Sequence, residues 1–186
     1  MGMNNCSDDM LFEKTVSSRT VFEGRVFNVE IKDITTPEGN ASKREIVKHP
    51  GGACILPLDD DGNCYFVKQF RSPFEKVMLE APAGKLEKGE DPLHCVSREI
   101  TEETGFTADS IECVGAIAAT PGYCSEVITL FIGTGLKYKG GTPDPNEYLS
   151  TVKMPLSEAL KLAENGVIND AKTLVLIYKA SRRLGI

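Results

Sequence analysis

Glu99, Glu102 and Glu103 stand three and four residues apart, with Arg98 directly before them. On a helix that spacing stacks carboxylates on one side, where they can share a divalent cation. Two more carboxylates, Glu87 and Glu90, come from the Gly-containing stretch APAGKLEKGE just upstream. Magnesium takes such oxygen donors and keeps several waters, which leaves positions for substrate phosphates. Without a cation the same carboxylates repel one another. A pair of glutamates alone on a surface helix serves solubility; loop and helix together point to a cation site.

Holding these groups requires a helix with defined ends. Asp91 is a good N-cap, Pro92 suits the first turn, and Gly105 fits the position just past the last turn. Leu93, Val96, Ile100 and Thr104 form the stripe expected to face inward, with Glu99, Glu102 and Glu103 off it. Upstream, TVFEGRVFNVEIKDITT, a PEGN turn at 37–40 and SKREIVKHP read as a half-buried antiparallel meander. GGACILPLDDDGNCYFVKQFR reads as a hairpin of two apolar strands around Asp61–Gly62–Asn63. Beyond the helix, strands are expected at about 111–119, 126–134 and 147–154. A short amphipathic helix, LSEALKLAENG, ends at Gly166, and a last helix starts near Asp170 with Leu174, Ile177 and Tyr178 inward. The expected organisation is a flexible N-terminus over 1–15, a β-sheet over 16–49 and the main domain over 50–186.

The chain has 186 residues, enough for one domain with a small appended element and a real core. Its apolar content of 41% and charged content of 26% are those of an ordinary soluble protein. A net charge of -6 argues against general nucleic-acid binding, which favours a basic face. An anionic substrate therefore needs local help from metal ions and a few placed arginines. The six cysteines form no CxxC pair, and Cys54, Cys64 and Cys113 lie in apolar runs as small hydrophobes. Reduced thiols in a cytoplasmic protein are expected. No apolar run approaches the ~18 residues of a membrane-spanning helix. The start, MGMNNCSDDM, lacks a signal-peptide apolar region and misses the myristoylation pattern, since position 6 is Cys.

The stretch GKLEKGEDPLHCVSREITEETGF, residues 84–106, forms a box that meets a longer signature, Gly-x5-Glu-x7-Arg-Glu-Ile-x-Glu-Glu-x-Gly-Phe. Through Gly84, Glu90, Arg98, Glu99, Ile100, Glu102, Glu103, Gly105 and Phe106 it resembles the Nudix hydrolase superfamily. The resemblance implies an α/β fold, a Nudix α/β/α sandwich around a mixed sheet over 50–186, preceded by the small antiparallel sheet. It also implies hydrolysis of a nucleoside diphosphate linked to another moiety, assisted by Mg2+ or Mn2+. By the same match Glu99 and Glu103 are metal ligands, joined by Glu102 and the Ala83 backbone carbonyl, and Arg98 orients a glutamate. The flanks QFRSPFEKVMLEAPAGKLEKGED and ATPGYCSEVITLFIGTGL, with Pro121 sixteen residues beyond Gly105, are similar to the ADP-ribose pyrophosphatase branch.

That branch implies further roles. Arg71 would meet the substrate phosphates, for which a guanidinium is shaped. Arg44 would reach substrate from the N-terminal sheet, which the branch exchanges between two subunits, so a homodimer is implied. Glu126 would bind ribose or a metal-bound water. Two carboxylates are candidates for the general base, Glu102 in the box and Glu147 in TPDPNEYLS; Glu147 is placed ahead because Glu102 is open to metal. The chain has no Trp. Base stacking would then fall to Phe22, Phe27 or another ring, though both phenylalanines read more simply as core. The rival readings are a Nudix enzyme for GDP-mannose, another nucleotide sugar or a dinucleotide, and a non-catalytic module that senses ADP-ribose.

Overall fold

The computed structural model describes residues 8–141 and 148–186. The chain divides into two compact units, residues 1–50 with 120–126, and residues 51–119 with 127–186. In the first unit β1 (Lys14–Glu23), β2 (Asn28–Thr35) and β3 (Ala41–Lys48) form an antiparallel meander in that order. Thr36 and Gly39 close the expected turn, Gly39 donating to Thr36 O at 2.9 Å with φ of 88° that favours glycine. β1 begins at Lys14, inside the stretch expected to be loosely ordered, because Lys14 and Thr15 already pair with Thr35 and Ile34. The segment 120–126 joins this unit through Val47, whose N–H donates to Tyr123 O at 2.7 Å and whose carbonyl accepts from Ser125 N at 2.9 Å.

The second unit contains β4 (Gly52–Pro57), β5 (Asn63–Arg71), β6 (Lys76–Glu80), β7 (Ala83–Lys85), α1 (Pro92–Thr104), β8 (Phe106–Ala118), β9 (Val127–Tyr138), β10 (Leu149–Pro155), α2 (Leu156–Glu164) and α3 (Ala171–Leu184). A four-stranded mixed sheet runs β7-β4-β9-β8, with β4 parallel to β9, and a three-stranded antiparallel sheet runs β10-β5-β6. Every residue of β4 is buried, as in a strand covered on both faces. Ala53 and Ile55 pack with Val96 and Ile100 of α1, while Cys54 and Leu56 pack with Leu176 and Ile177 of α3. Helices on opposite faces of a mixed sheet make the expected α/β sandwich. No described helix is long and apolar enough to cross a membrane.

Three expectations are corrected. β4 and β5 turn through Asp59, whose Oδ1 accepts from Asn63 N at 2.8 Å, but they do not form a hairpin. β4 pairs with β9 along its length and with β7 over Gly52–Cys54, while β5, after a single Leu58–Cys64 bridge, joins the other sheet between β10 and β6. Tyr178 is 46% exposed; α3 buries Thr173, Leu176, Ile177, Ala180 and Ser181 instead. Among the cysteines, Cys54 and Cys64 are buried but Cys113 is exposed, and no disulfide joins the described ones.

Candidate active site

Helix α1 is punctuated as its sequence demands. Asp91 accepts from Leu93 N at 2.8 Å, Pro92 opens the first turn, and Gly105 closes the last with φ of 78° and an N–H to Thr101 O at 2.9 Å. Its buried face is wider than the expected apolar stripe. Leu93 is 43% exposed, whereas Glu99 and Glu103 are buried beside Cys95, Val96, Ile100 and Thr104. Val96 and Ile100 meet the sheet core, and 95, 99 and 103, on the adjoining arc of the helix, fall against β7.

β7 explains that burial. Glu103 Oε2 accepts from Ala83 N at 3.1 Å, and the Glu99 carboxylate lies against Gly84, where a Cβ would stand 1.8 Å from Oε1. The box therefore needs glycine at 84 for room. β7 is an edge strand, and Pro82 turns its carbonyl to Ile55 N of β4 at 2.9 Å. Strand alternation then sends the N–H and the carbonyl of Ala83 off the open edge together, towards the glutamates.

Arg98 bridges the remaining carboxylates. Its Nη1 donates to Glu99 Oε1 at 2.7 Å and to Glu102 Oε2 at 2.9 Å, and its Nη2 stands 3.6 Å from Glu90 Oε1. Burial opposes the Arg98 charge, but Glu99 and Glu102 outweigh it and raise its pKa. The Glu87 backbone N–H, then Arg98, hold the Glu90 carboxyl below the usual range. Burial pushes the Cys95 thiol up to about 12, so this cysteine, 3.7 Å from Gly84 O, acts as a packed neutral donor. Thr151 of β10 donates to Glu103 O at 3.2 Å and ties the end of α1 to the second sheet.

The donors suit a hard divalent cation. The two buried carboxylates, Glu99 and Glu103, and the Ala83 carbonyl are oxygen donors that would suit such an ion, and the tight Gly84–Glu99 approach limits where Glu99 can turn. Among the described residues no three His, Cys, Asp or Glu side chains already gather into a cage.

The other anticipated residues are distributed as follows. Arg71, at the end of β5, pairs bidentately with Glu80: Nε to Oε1 at 2.7 Å and Nη2 to Oε2 at 2.9 Å. Arg44 and Glu126 belong to the first unit. Arg44 is held by Glu13, Ser42 and the Lys43 carbonyl, and Glu126 Oε1 lies 3.3 Å from His49 Nδ1. Glu147 lies outside the described residues. Phe22 and Phe27 are not core: they are 52% and 40% exposed, with ring centroids 6.0 Å apart.

One group was missed by sequence reasoning. Glu80 is 2% exposed and, besides Arg71, accepts from Lys172 Nζ at 2.5 Å. Burial would raise the Glu80 pKa, but hydrogen bonds from Arg71 and Lys172 prevail and hold it at about 2. Asp170 was visible as a helix start; that its neighbour Lys172 reaches back to Glu80 was not, since no local pattern encodes it.

A family model described as "NUDIX domain" matches residues 48–176. The chain is 41% identical over 169 residues to the ADP-ribose pyrophosphatase of Bacillus subtilis (strain 168), covering 90% of this chain and 91% of the relative. It is 38% identical over 167 residues to the methanol dehydrogenase activator of Bacillus methanolicus, covering 89% and 90%. A crystal structure of an ADP compounds hydrolase superposes with a TM-score of 0.82 at 21% identity, covering 94% of this chain and 96% of that one, a likeness of fold.

Proposed function

The chain belongs to the Nudix family, and on that premise we propose that it hydrolyses the pyrophosphate of ADP-ribose and related ADP-sugars. ADP-ribose and water would give AMP and ribose 5-phosphate. The observation that carries this reading is similarity over 90% of the chain to an ADP-ribose pyrophosphatase, with the box glutamates seated on Ala83–Gly84.

Nudix hydrolases work with divalent metal ions, and Mg2+ or Mn2+ is the ion proposed here. Glu99, Glu103 and the Ala83 carbonyl would hold it, with Glu102 available once it parts from Arg98. A bound cation there offsets pyrophosphate charge and makes a water more acidic. Arg98 keeps Glu99 turned towards Gly84. Arg71, its Nε–Nη2 edge set by Glu80, offers the rest of its guanidinium to a phosphate oxygen. Glu126 binds ribose, Arg44 adds a cation from the N-terminal sheet, and Glu147, with Glu102 as its rival, takes the proton from the attacking water. Positioning and charge stabilisation supply most of the rate.

The protein acts in the cytoplasm as a homodimer with reduced thiols. Every residue of β1 is exposed, and Val16, Val21 and Phe22 on it are 66%, 50% and 52% accessible. So much apolar surface on one sheet suits a second copy of the chain. Sedimentation velocity should give twice the monomer mass; a monomer at micromolar protein would overturn this.

The function is tested by incubating the purified protein and Mg2+ with ADP-ribose, GDP-mannose, NADH and diadenosine polyphosphates. Cleavage of ADP-ribose with the highest kcat/KM supports the reading. Preference for GDP-mannose or a dinucleotide would move the enzyme to another Nudix specificity. Tight ADP-ribose binding without turnover would make it a sensing module.

A further inference from the structure

Arg71, Glu80, Lys172 and Asp170 form a chain of alternating charges at the junction of β5, β6 and α3. Arg71 pairs with Glu80 through two bonds, Lys172 donates to Glu80 at 2.5 Å and to Asp170 at 2.9 Å, and Asp170 accepts from Thr173 N at 3.0 Å. Thr173, with no exposed surface, donates its hydroxyl to Asp170 and accepts from Ala81 N at 2.8 Å. Ala81 leads through Pro82 to Ala83 and Gly84, the residues that meet Glu103 and Glu99. One network therefore touches both the phosphate-facing arginine and the strand beneath the box.

Stability is a poor reason for this arrangement. Desolvating paired charges costs about what their attraction returns, and apolar side chains of similar volume often serve as well or better. Apolar side chains cannot orient a guanidinium. A free arginine side chain samples many rotamers, and part of that freedom must be given up on binding. Glu80 removes that freedom beforehand, and Lys172, 12% exposed at its side chain, keeps Glu80 itself from turning. Asp170 fixes Lys172 while capping α3, so the orientation is anchored to a helix terminus.

We infer that Glu80, Lys172 and Asp170 are positioning residues for substrate binding, which hold Arg71 ready for a pyrophosphate oxygen and pin Ala81 ahead of Ala83–Gly84. The inference rests on the reading of Arg71 as a phosphate ligand. Lys172 acts through Arg71, 101 positions away in the chain, and itself touches no substrate.

The test is a double-mutant cycle on full-length protein with ADP-ribose and Mg2+, using Arg71→Lys, Lys172→Met and the two combined, with melting temperatures recorded for each. Arg71→Lys should raise KM ~10-fold by losing its bidentate fork. Lys172→Met should raise KM by a similar ~10-fold while kcat changes far less, and the double variant should be no worse than the more severe single one. A purely structural role would lower the melting temperature and leave the two KM effects multiplying. If Arg71→Lys raises KM while Lys172→Met does not, or if the effects multiply, the positioning inference fails and the Arg71 reading stands. If Arg71→Lys leaves KM unchanged, the Arg71 reading fails and this inference with it. Should Lys172→Met not fold, Asp170→Asn, which keeps a capping oxygen for α3, enters the same cycle with the same deciding outcomes.

Discussion

The Glu99 carboxylate occupies the place where a side chain at Gly84 would begin, 1.8 Å from a Cβ built there. A glycine on β7 and a glutamate on α1 are thus two halves of one contact. It joins strand to helix and sets one oxygen of the proposed cation site. Substituting either residue disturbs the other.

Gly84→Ala forces Glu99 to leave its seat while its carboxylate is still drawn by Arg98. Metal-dependent turnover should fall by ~10²-fold or more, since small misplacements in a preorganised site are costly. Kinetics against Mg2+ concentration check this; wild-type turnover would show that the contact is dispensable.

Glu103→Gln keeps an oxygen for the Ala83 N–H but removes a charge. The fold should persist by circular dichroism while turnover is abolished and Mn2+ affinity, read by calorimetry, drops sharply. Full activity would remove Glu103 from the site.

Glu147→Gln should cost ~10²-fold or more in kcat if that carboxylate is the general base. A loss of only a few-fold, with a larger one for Glu102→Gln, would transfer the role to Glu102.

Glu80 titrates at about 2 in the fold against an ordinary value of 4.5. A depressed carboxyl pKa contributes stability that is fully present above 4.5 and is lost as pH falls towards 2. With Arg71 and Lys172 left in place, a charged rather than protonated Glu80 is worth on the order of 3 kcal/mol at neutral pH. That is the loss of one partner and not the net worth of the network. Wild-type melting temperature should therefore drop between pH 4.5 and 2 more steeply than that of Glu80→Gln, and the gap between the two should be widest near neutrality. Parallel curves would show that Glu80 does not carry this dependence.

Much of the site was legible because its signals are local. Capping by Asp91, the stop at Gly105 and the three-and-four spacing of glutamates depend on residues within a turn or two of one another. The burial of Glu99 and Glu103 was not legible. On a helix they adjoin the apolar arc of Val96, Ile100 and Thr104, and only the arrival of β7 decides whether that adjoining arc meets water or strand. The hairpin expected around Asp61–Gly62–Asn63 failed for a related reason. The turn chemistry is present, but pairing is decided by partners distant in sequence: β4 lies between β7 and β9, and β5 between β10 and β6.

By itself the sequence determined the type and spacing of the chemical groups, the ends of the helices and the membership of the family, because these follow from short-range chemistry and motif. Tertiary structure alone decided how those groups are aimed. It set Gly84 under Glu99, Ala83 against Glu103, and Lys172 beside Glu80 from 92 residues away. Orientation at such distances comes from packing and strand pairing, which no local pattern records.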